Sequence, residues 1–306
     1  MRLLSFEAGE STEPRLGVRV AHRVLDVSTA AALLNVAVPN TLKAALTEAA
    51  IPAIEAIRES AAAEPAKFQA AFLEEGTVRY LPPIRDPEKF LCVGKNYRSH
   101  LEELRRTDLI REMPEEVTGF IKLNSALTGH ECAVVKPDCV SRLDYEPELV
   151  FVVGRECLEP IGDKDPLSFI AGVTVLNDLT DRDSQKREVA SGTKFWTAKN
   201  APGFGPLGPE VITLDEIADP YDLWMTCHVN GQLRMRVNTC DQIWKIGDIL
   251  NHFARLIPIR PGDMFSTGAP GGVAVGKPNA EELFLKRGDV VECSIEGFTT
   301  LRNTIV

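Results

Sequence analysis

No two of the seven cysteines form a CxxC pair, and their number is odd: they stand singly at positions 92, 132, 139, 157, 227, 240 and 293. That spacing speaks against a disulfide framework and against a zinc site, and it reads as a reduced, cytoplasmic protein with mostly buried thiols. Long apolar runs are missing too, so no segment reaches the length of a membrane-spanning helix. The first six residues, MRLLSF, are too short and polar to read as a signal peptide. Positive charge is in deficit, with 34 Lys and Arg against 44 Asp and Glu and a formal net charge of -10. A chain so acidic is a poor partner for nucleic acid or an anionic membrane. A small anionic substrate stays open, because a metal ion and a few cationic side chains set the field of a local site.

Several catalytic signatures are absent as well. The Gly-rich stretch Ser266-Thr267-Gly268-Ala269-Pro270-Gly271-Gly272-Val273 carries no GK[ST] and is not GxGxxG, which removes Walker-type and dinucleotide-binding readings. Backbone N–H groups of such a turn would hold a carboxylate, or the turn is purely structural. Ser99 and Ser125 lack the G-x-S-x-G elbow of a serine hydrolase. There is no internal repeat and no low-complexity tract.

The 306 residues, 44% hydrophobic and 25% charged, suffice for one large or two ordinary domains. Residues 3–6, 16–20 and 24–27 read as strands, and 28–73 as an Ala-rich helical region broken near Val38-Pro39 and Ile51-Pro52. This predicts a small N-terminal α/β domain over residues 1–80. The connector at 81–87 holds three prolines, which disfavour helix. Beyond it, residues 81–306 carry short β-rich runs at 90–93, 120–122, 149–153, 172–177, 224–229, 264–266 and 290–295, with little strand–helix alternation. The expected fold class is α+β, mostly β. One helix is expected over 241–256, where Ile243, Ile246, Leu250, Phe253 and Ile257 keep helical spacing and Pro258 stops it.

The chemistry concentrates in three places. In Asp144-Tyr145-Glu146-Pro147-Glu148-Leu149, followed by Val-Phe-Val-Val, side chains alternate along a strand, so Glu146 and Glu148 share a face. Adjacent carboxylates repel unless a cation lies between them, and a hard divalent ion wants such oxygen ligands. A solvated edge strand with two acids would read the same. Asp178, at the end of a second β-branched run, supplies a third carboxylate, although a turn or cap role suits Asp there too. Three carboxylates with open positions for water and substrate are a frequent Mg²⁺ or Mn²⁺ design. Second, Gly94-Lys95-Asn96-Tyr97-Arg98-Ser99-His100-Leu101-Glu102-Glu103 places His100 and Glu103 three apart, on one helical face. Such a pair activates water as a general base, or forms a surface ion pair. Third, Lys194 and Lys199 sit in the stretch 193–206, whose second half is rich in Gly and Pro and expected to be a loop, where a lysine steadies a carboxylate or enolate as a point charge, or is an ordinary exposed lysine.

Taken in order, VGKNYRSHLEE, DYEPELVFVVG, GVTVLNDLTDRDSQ, the Lys199-to-GPLGP stretch, STGAPGGV and GDVVECSIEGFTTLRN resemble the fumarylacetoacetate hydrolase family over about residues 88–306. The resemblance implies a mixed β-sandwich roll, usually homodimeric, with Mg²⁺ or Mn²⁺ in the active site and Ca²⁺ as a further candidate. It implies Glu146, Glu148 and Asp178 as metal ligands, His100 and Glu103 as the water-activating pair, and Lys199 as the oxyanion-assisting lysine. Tyr97, Arg182, Gln185, Thr267 and Gly268 fall at positions that meet the substrate. Two departures stand out: K-x-F-D reads Lys199-Asn200-Ala201-Pro202, which loses an acid, and T-G-T-P reads Thr267-Gly268-Ala269-Pro270, which loses a hydroxyl. The implied activity is metal-dependent hydrolysis of a C–C bond in a 1,3-dicarbonyl acid such as an acylpyruvate. Oxaloacetate-type decarboxylation and 2-oxo-acid hydration or isomerisation use the same site, and a non-catalytic small-molecule binder is the reading of another class.

Overall fold

The computed structural model describes residues 1–106, 115–193 and 195–306. The strand Pro147–Val153 is buried at every position. A strand that is apolar on both faces needs cover on both sides, and two cores supply it. Leu149, Phe151 and Val153 face one core with Met225, Cys227, Cys293 and Ile295. Val150 and Val152 face the other, with Leu3, Leu16, Leu42 and Ile54. Period-two alternation therefore sends successive side chains into different cores.

The first core lies between two sheets. The larger sheet is mixed, and its path runs Phe72–Glu74, Arg23–Asp26, Arg15–Val20, Arg2–Ala8, Gly205–Thr213, Ile170–Asn177, Pro147–Val153, Met264–Ser266, Phe90–Gly94 and Thr118–Ile121. Met264–Ser266 pairs parallel to Phe90–Gly94, while its partner on the other side, Pro147–Val153, is antiparallel. The facing sheet runs Gln232–Asn238, Trp224–Val229, Val290–Ile295, Thr299–Ile305 and Ala133–Val134. This is the expected mostly-β α+β sandwich. The N-terminal strands join the larger sheet directly, with Leu3 opposite Val211. The helices Val27–Leu33, Leu42–Thr47 and Ile51–Ala63 pack on that end of it. The break expected near Ile51-Pro52 is present: one helix ends at Thr47 and the next starts at Ile51, with Pro52 in its first turn, where a proline costs no hydrogen bond.

Two expectations are corrected. The helix expected over 241–256 is only Ile246–Phe253. Its presumed first turn is spent on Asn96: Ile243 N–H donates to the Asn96 carbonyl and Trp244 N–H to Asn96 Oδ1, both at 2.7 Å. Lys245 N–H is then capped by Asp248 at 2.9 Å. The Gly- and Pro-rich stretch expected to be a loop is one over 200–204, but its end, Gly205 and Pro206, opens a central strand, Gly205–Thr213, buried throughout. Pro209 is tolerated because the register slips opposite it, between Val173 and Val175, and Pro206 because it is the second residue of the strand. The strands Gln232–Asn238 and Thr299–Ile305 carry too many polar residues to stand out in the sequence.

Candidate active site

Glu148 lies in Pro147–Val153, Glu146 just precedes it, and Asp178 follows Ile170–Asn177. The two strands pair antiparallel with Pro147 opposite Asn177, so the start of one meets the end of the other. Asn177 Oδ1 accepts the Glu146 N–H at 3.0 Å, and the Asp178 N–H donates to the Glu146 carbonyl at 2.8 Å. The backbone thus delivers all three carboxylates to one point. Each is buried, and one oxygen from each lies within 4.8 Å of the others.

Cations surround them. Lys199 Nζ bonds both Glu146 and Asp178. Arg182 reaches Glu146 at 2.7 Å and Asp144 at 2.8 Å. Lys122, which the motifs did not single out, is wholly buried and meets Asp178 Oδ1 at 2.5 Å. Burial alone would push the Glu146 carboxyl up, but Lys199 and Arg182 outweigh it and hold it down, at about 2. Burial alone would discharge Lys199, but Asp178, Glu146 and Glu148 raise its pKa above the usual amine value, so it stays an ammonium.

Glu148 differs. Among the described residues it has no ion pair, and only the Ser266 hydroxyl donates to it. Burial and the neighbouring Asp178 push its carboxyl well above the ordinary range. Asp144, Glu146, Glu148 and Asp178 face Lys122, Arg182 and Lys199, so the buried cluster carries one more potential negative charge than positive. An all-oxygen donor set with surplus negative charge and one carboxylate lacking a cation fits a hard divalent ion.

The helix Arg98–Arg106 carries His100 and Glu103. His100 Nδ1 lies 3.6 Å from Glu103 Oε2, both side chains mostly buried. His100 is also close enough to be among the groups that lower the Glu146 pKa. The helix start is held by Asp241, which accepts the Ser99 N–H at 3.0 Å and the Ser99 hydroxyl at 2.5 Å. The sequence pairing of His100 with Glu103 is therefore realised in space, beside the carboxylates.

Tyr97 is fully buried, and Gln242 Nε2 donates to its hydroxyl at 3.1 Å. Because the Thr267 hydroxyl donates to the Leu149 carbonyl at 3.0 Å, the Tyr97 hydroxyl donates to Thr267 Oγ1 at 3.1 Å. Burial keeps this phenol protonated by raising its pKa. Gly268 has φ +89°, and a Cβ there would sit 2.4 Å from the Val93 carbonyl oxygen, so only glycine fits. Gln185 accepts from Arg182 at 2.9 Å. The Lys199 ammonium lies 5.3 and 5.9 Å from the ring centres of Phe120 and Phe195, which stack edge to face. Asn200 joins these two segments: it donates to the Ile121 and Phe195 carbonyls and accepts the Leu123 N–H at 2.8 Å. Lys194 lies outside the described residues. Among those described, no helix is long and apolar enough to cross a membrane.

Comparison with known proteins agrees with this geometry. The family model of the fumarylacetoacetate (FAA) hydrolase C-terminal region matches residues 89–306. The chain is 32% identical over 308 residues to "Oxaloacetate tautomerase Fahd2a, mitochondrial" of Rattus norvegicus, covering 100% of this chain and 92% of that one. It is 32% identical over 309 residues to the Homo sapiens protein "Oxaloacetate tautomerase FAHD2A, mitochondrial", with the same coverage. Among solved structures, fumarylacetoacetate hydrolase from psychrophilic Exiguobacterium antarcticum aligns with a TM-score of 0.77 at 27% identity, covering 100% of this chain and 99% of that one. Maleylpyruvate hydrolase from Sphingobium sp. SYK-6, in complex with manganese(II) and pyruvate, aligns at 0.75 and 25% with the same coverage. Family match, full-length relatives and the carboxylate cluster agree: the chain belongs to the fumarylacetoacetate hydrolase family.

Proposed function

We propose that this protein is a divalent-cation-dependent enzyme that moves a proton next to the carbonyl of a small 2-oxo acid, with oxaloacetate as the first substrate to test. The observation that carries the reading is the buried cluster Glu146–Glu148–Asp178, bracketed by Lys199 and by the His100–Glu103 pair. The full-length relatives named oxaloacetate tautomerases support this choice of substrate. Those three carboxylates would hold Mg²⁺ or Mn²⁺, and Ca²⁺ is a further candidate; the ion would supply polarisation of the 2-oxo carbonyl.

The chain's own residues supply the rest. With Nδ1 directed at Glu103, His100 presents Nε2 to the substrate as the base that takes the C3 proton. Glu103 stabilises the imidazolium so formed, which gives a proton back to the enol oxygen to complete the keto–enol exchange. The Lys199 ammonium offsets charge building on that oxygen. Arg182, Gln185, Thr267 and Gly268 border the substrate, with Tyr97 holding Thr267 in place. A homodimer in a reducing compartment, the cytoplasm or the mitochondrial matrix, suits the seven unpaired cysteines.

A second reading is hydrolysis of an acylpyruvate, with the same pair activating water. The closeness of His100 to Glu103 favours it equally, and so does the maleylpyruvate hydrolase likeness. Purified protein with Mg²⁺ is given oxaloacetate and a panel of acylpyruvates, and products are identified by mass and by proton exchange at C3. Exchange into oxaloacetate without fragmentation, lost on chelation, supports the tautomerase; pyruvate plus a carboxylic acid supports the hydrolase; no consumption of any substrate sinks both. His100→Ala should lower turnover about 10²–10⁴-fold with Mn²⁺ binding retained.

A further inference from the structure

The Gly-rich turn does hold carboxylates, but they are the protein's own. Gly272 N–H donates to Glu103 Oε1 at 2.7 Å, and Gly271 N–H to the Ser99 hydroxyl at 3.1 Å. Two residues on, Ala274 N–H and Val275 N–H donate to the two oxygens of Asp144 at 2.9 and 3.0 Å. One short turn therefore grips the helix that bears His100 and, at its other end, the carboxylate that Arg182 shares with Glu146.

The glycines allow this close docking. A Cβ on Gly271 would lie 2.8 Å from Ser99, and one on Gly276 would lie 2.7 Å from Glu103. Asp144 is wholly buried and receives a third and a fourth donor, its neighbour Tyr145 N–H at 2.9 Å and Arg182 Nε at 2.8 Å. A carboxylate accepts about four hydrogen bonds, so Asp144 has no capacity left for an ion. Charge-assisted bonds to rigid backbone amides hold a side chain more firmly than bonds to mobile side chains.

We propose that Asp144 and the turn 271–276 form a positioning bridge that sets the His100–Glu103 pair against the Glu146–Glu148–Asp178 cluster. The inference rests on the reading of that pair as the proton-transferring group. Asp144→Asn keeps the shape, removes the charge, and turns one acceptor into a donor facing the turn. In the full-length protein with Mg²⁺, kcat should fall about 10–100-fold while KM and Mn²⁺ affinity, read by electron paramagnetic resonance, stay within about threefold. Combined with Glu103→Gln, the double variant should be no more than about threefold slower than the worse single one, because both break one bridge.

Ala274→Pro gives a second, independent break. It deletes one N–H at the first position of the short 3₁₀ turn Ala274–Gly276, after a Val273 that is already extended at φ -63° and ψ 155°. It should reproduce the kcat loss. Multiplying effects in the double variant, Mn²⁺ binding lost together with kcat in Asp144→Asn, or full kcat in Ala274→Pro would each overturn the bridge alone. Unchanged turnover in Glu103→Gln would overturn the reading of the pair, and the bridge with it.

Discussion

Replacing Glu148 with glutamine is expected to abolish turnover and yet to raise the melting temperature of the protein in chelator. Glutamine cannot serve as an anionic ligand, and losing one of three carboxylates from a catalytic cation site should cost at least about a thousandfold in kcat. The stability effect has the opposite sign. Glu148 is buried, has no ion pair among the described residues, and lies beside Asp178 and Glu146. A charge buried without compensation costs free energy, and a neutral residue of the same shape removes that cost. Glutamine still accepts from Ser266.

The pH dependence follows from the direction of the shift. The Glu148 pKa is higher in the folded protein than its ordinary value. The folded state therefore binds its proton more tightly than the unfolded state does. The stability this gives is full below the unfolded value, about 4.3, and is lost as pH rises through the folded one. In chelator, the advantage of Glu148→Gln should be small near pH 5 and grow toward pH 8, to about 2–5 °C. Differential scanning calorimetry at both pH values, beside a Mg²⁺-dependent turnover assay, checks both halves. A variant that melts lower at pH 8 and still turns over would end the case for Glu148 as a ligand.

The three carboxylates were legible because strand alternation and the end of a β-branched run are local signals: Glu146 and Glu148 are two residues apart, and Asp178 closes an apolar strand. His100 and Glu103 were legible for the same reason, through helical spacing. What the sequence hid is long-range. Lys122 bonds carbonyls 77 and 82 residues away, and Asp144 takes amides 130 and 131 residues away. No window of sequence contains either arrangement. Lys122 ends an apolar strand and looks like a solvated stop signal; Asp144 stands in the best motif of the chain, where its two acidic neighbours draw the eye. Gly205–Thr213 was hidden by its composition, since glycine and proline speak for a turn unless a register shift accommodates them. The expected helix at 241–256 had the right periodicity and lost its first turn to Asn96, a residue about 150 positions earlier whose hydrogen-bonding demand outweighs local propensity.

Lys122→Met should be the most destabilising single change at this site. The Lys122 side chain is wholly buried; its ammonium donates to the Lys199 and Phe204 carbonyls and forms an ion pair with Asp178 Oδ1. Methionine fills nearly the same volume, so little of the loss will come from a cavity. It leaves two buried carbonyls without a donor, and it leaves Asp178 with Lys199 as its one remaining buried cation among the described residues. Breaking a buried ion pair on one side costs about 3–5 kcal/mol, and each orphaned carbonyl adds to that. Turnover should fall about 100-fold as well, because Lys122 holds both the Asp178 carboxylate and the backbone that carries Lys199. Urea unfolding in chelator reads the stability term, and a loss under about 1 kcal/mol would refute the assignment. The two variants are linked by charge. Glu148→Gln removes the surplus negative charge of the cluster and Lys122→Met enlarges it to two, so the double variant, with Asp144, Glu146 and Asp178 against Arg182 and Lys199, returns to the wild-type surplus of one. Glu148→Gln should therefore recover more stability in the Lys122→Met background than in the wild type, a positive coupling that neither hydrogen-bond loss nor packing loss alone would produce.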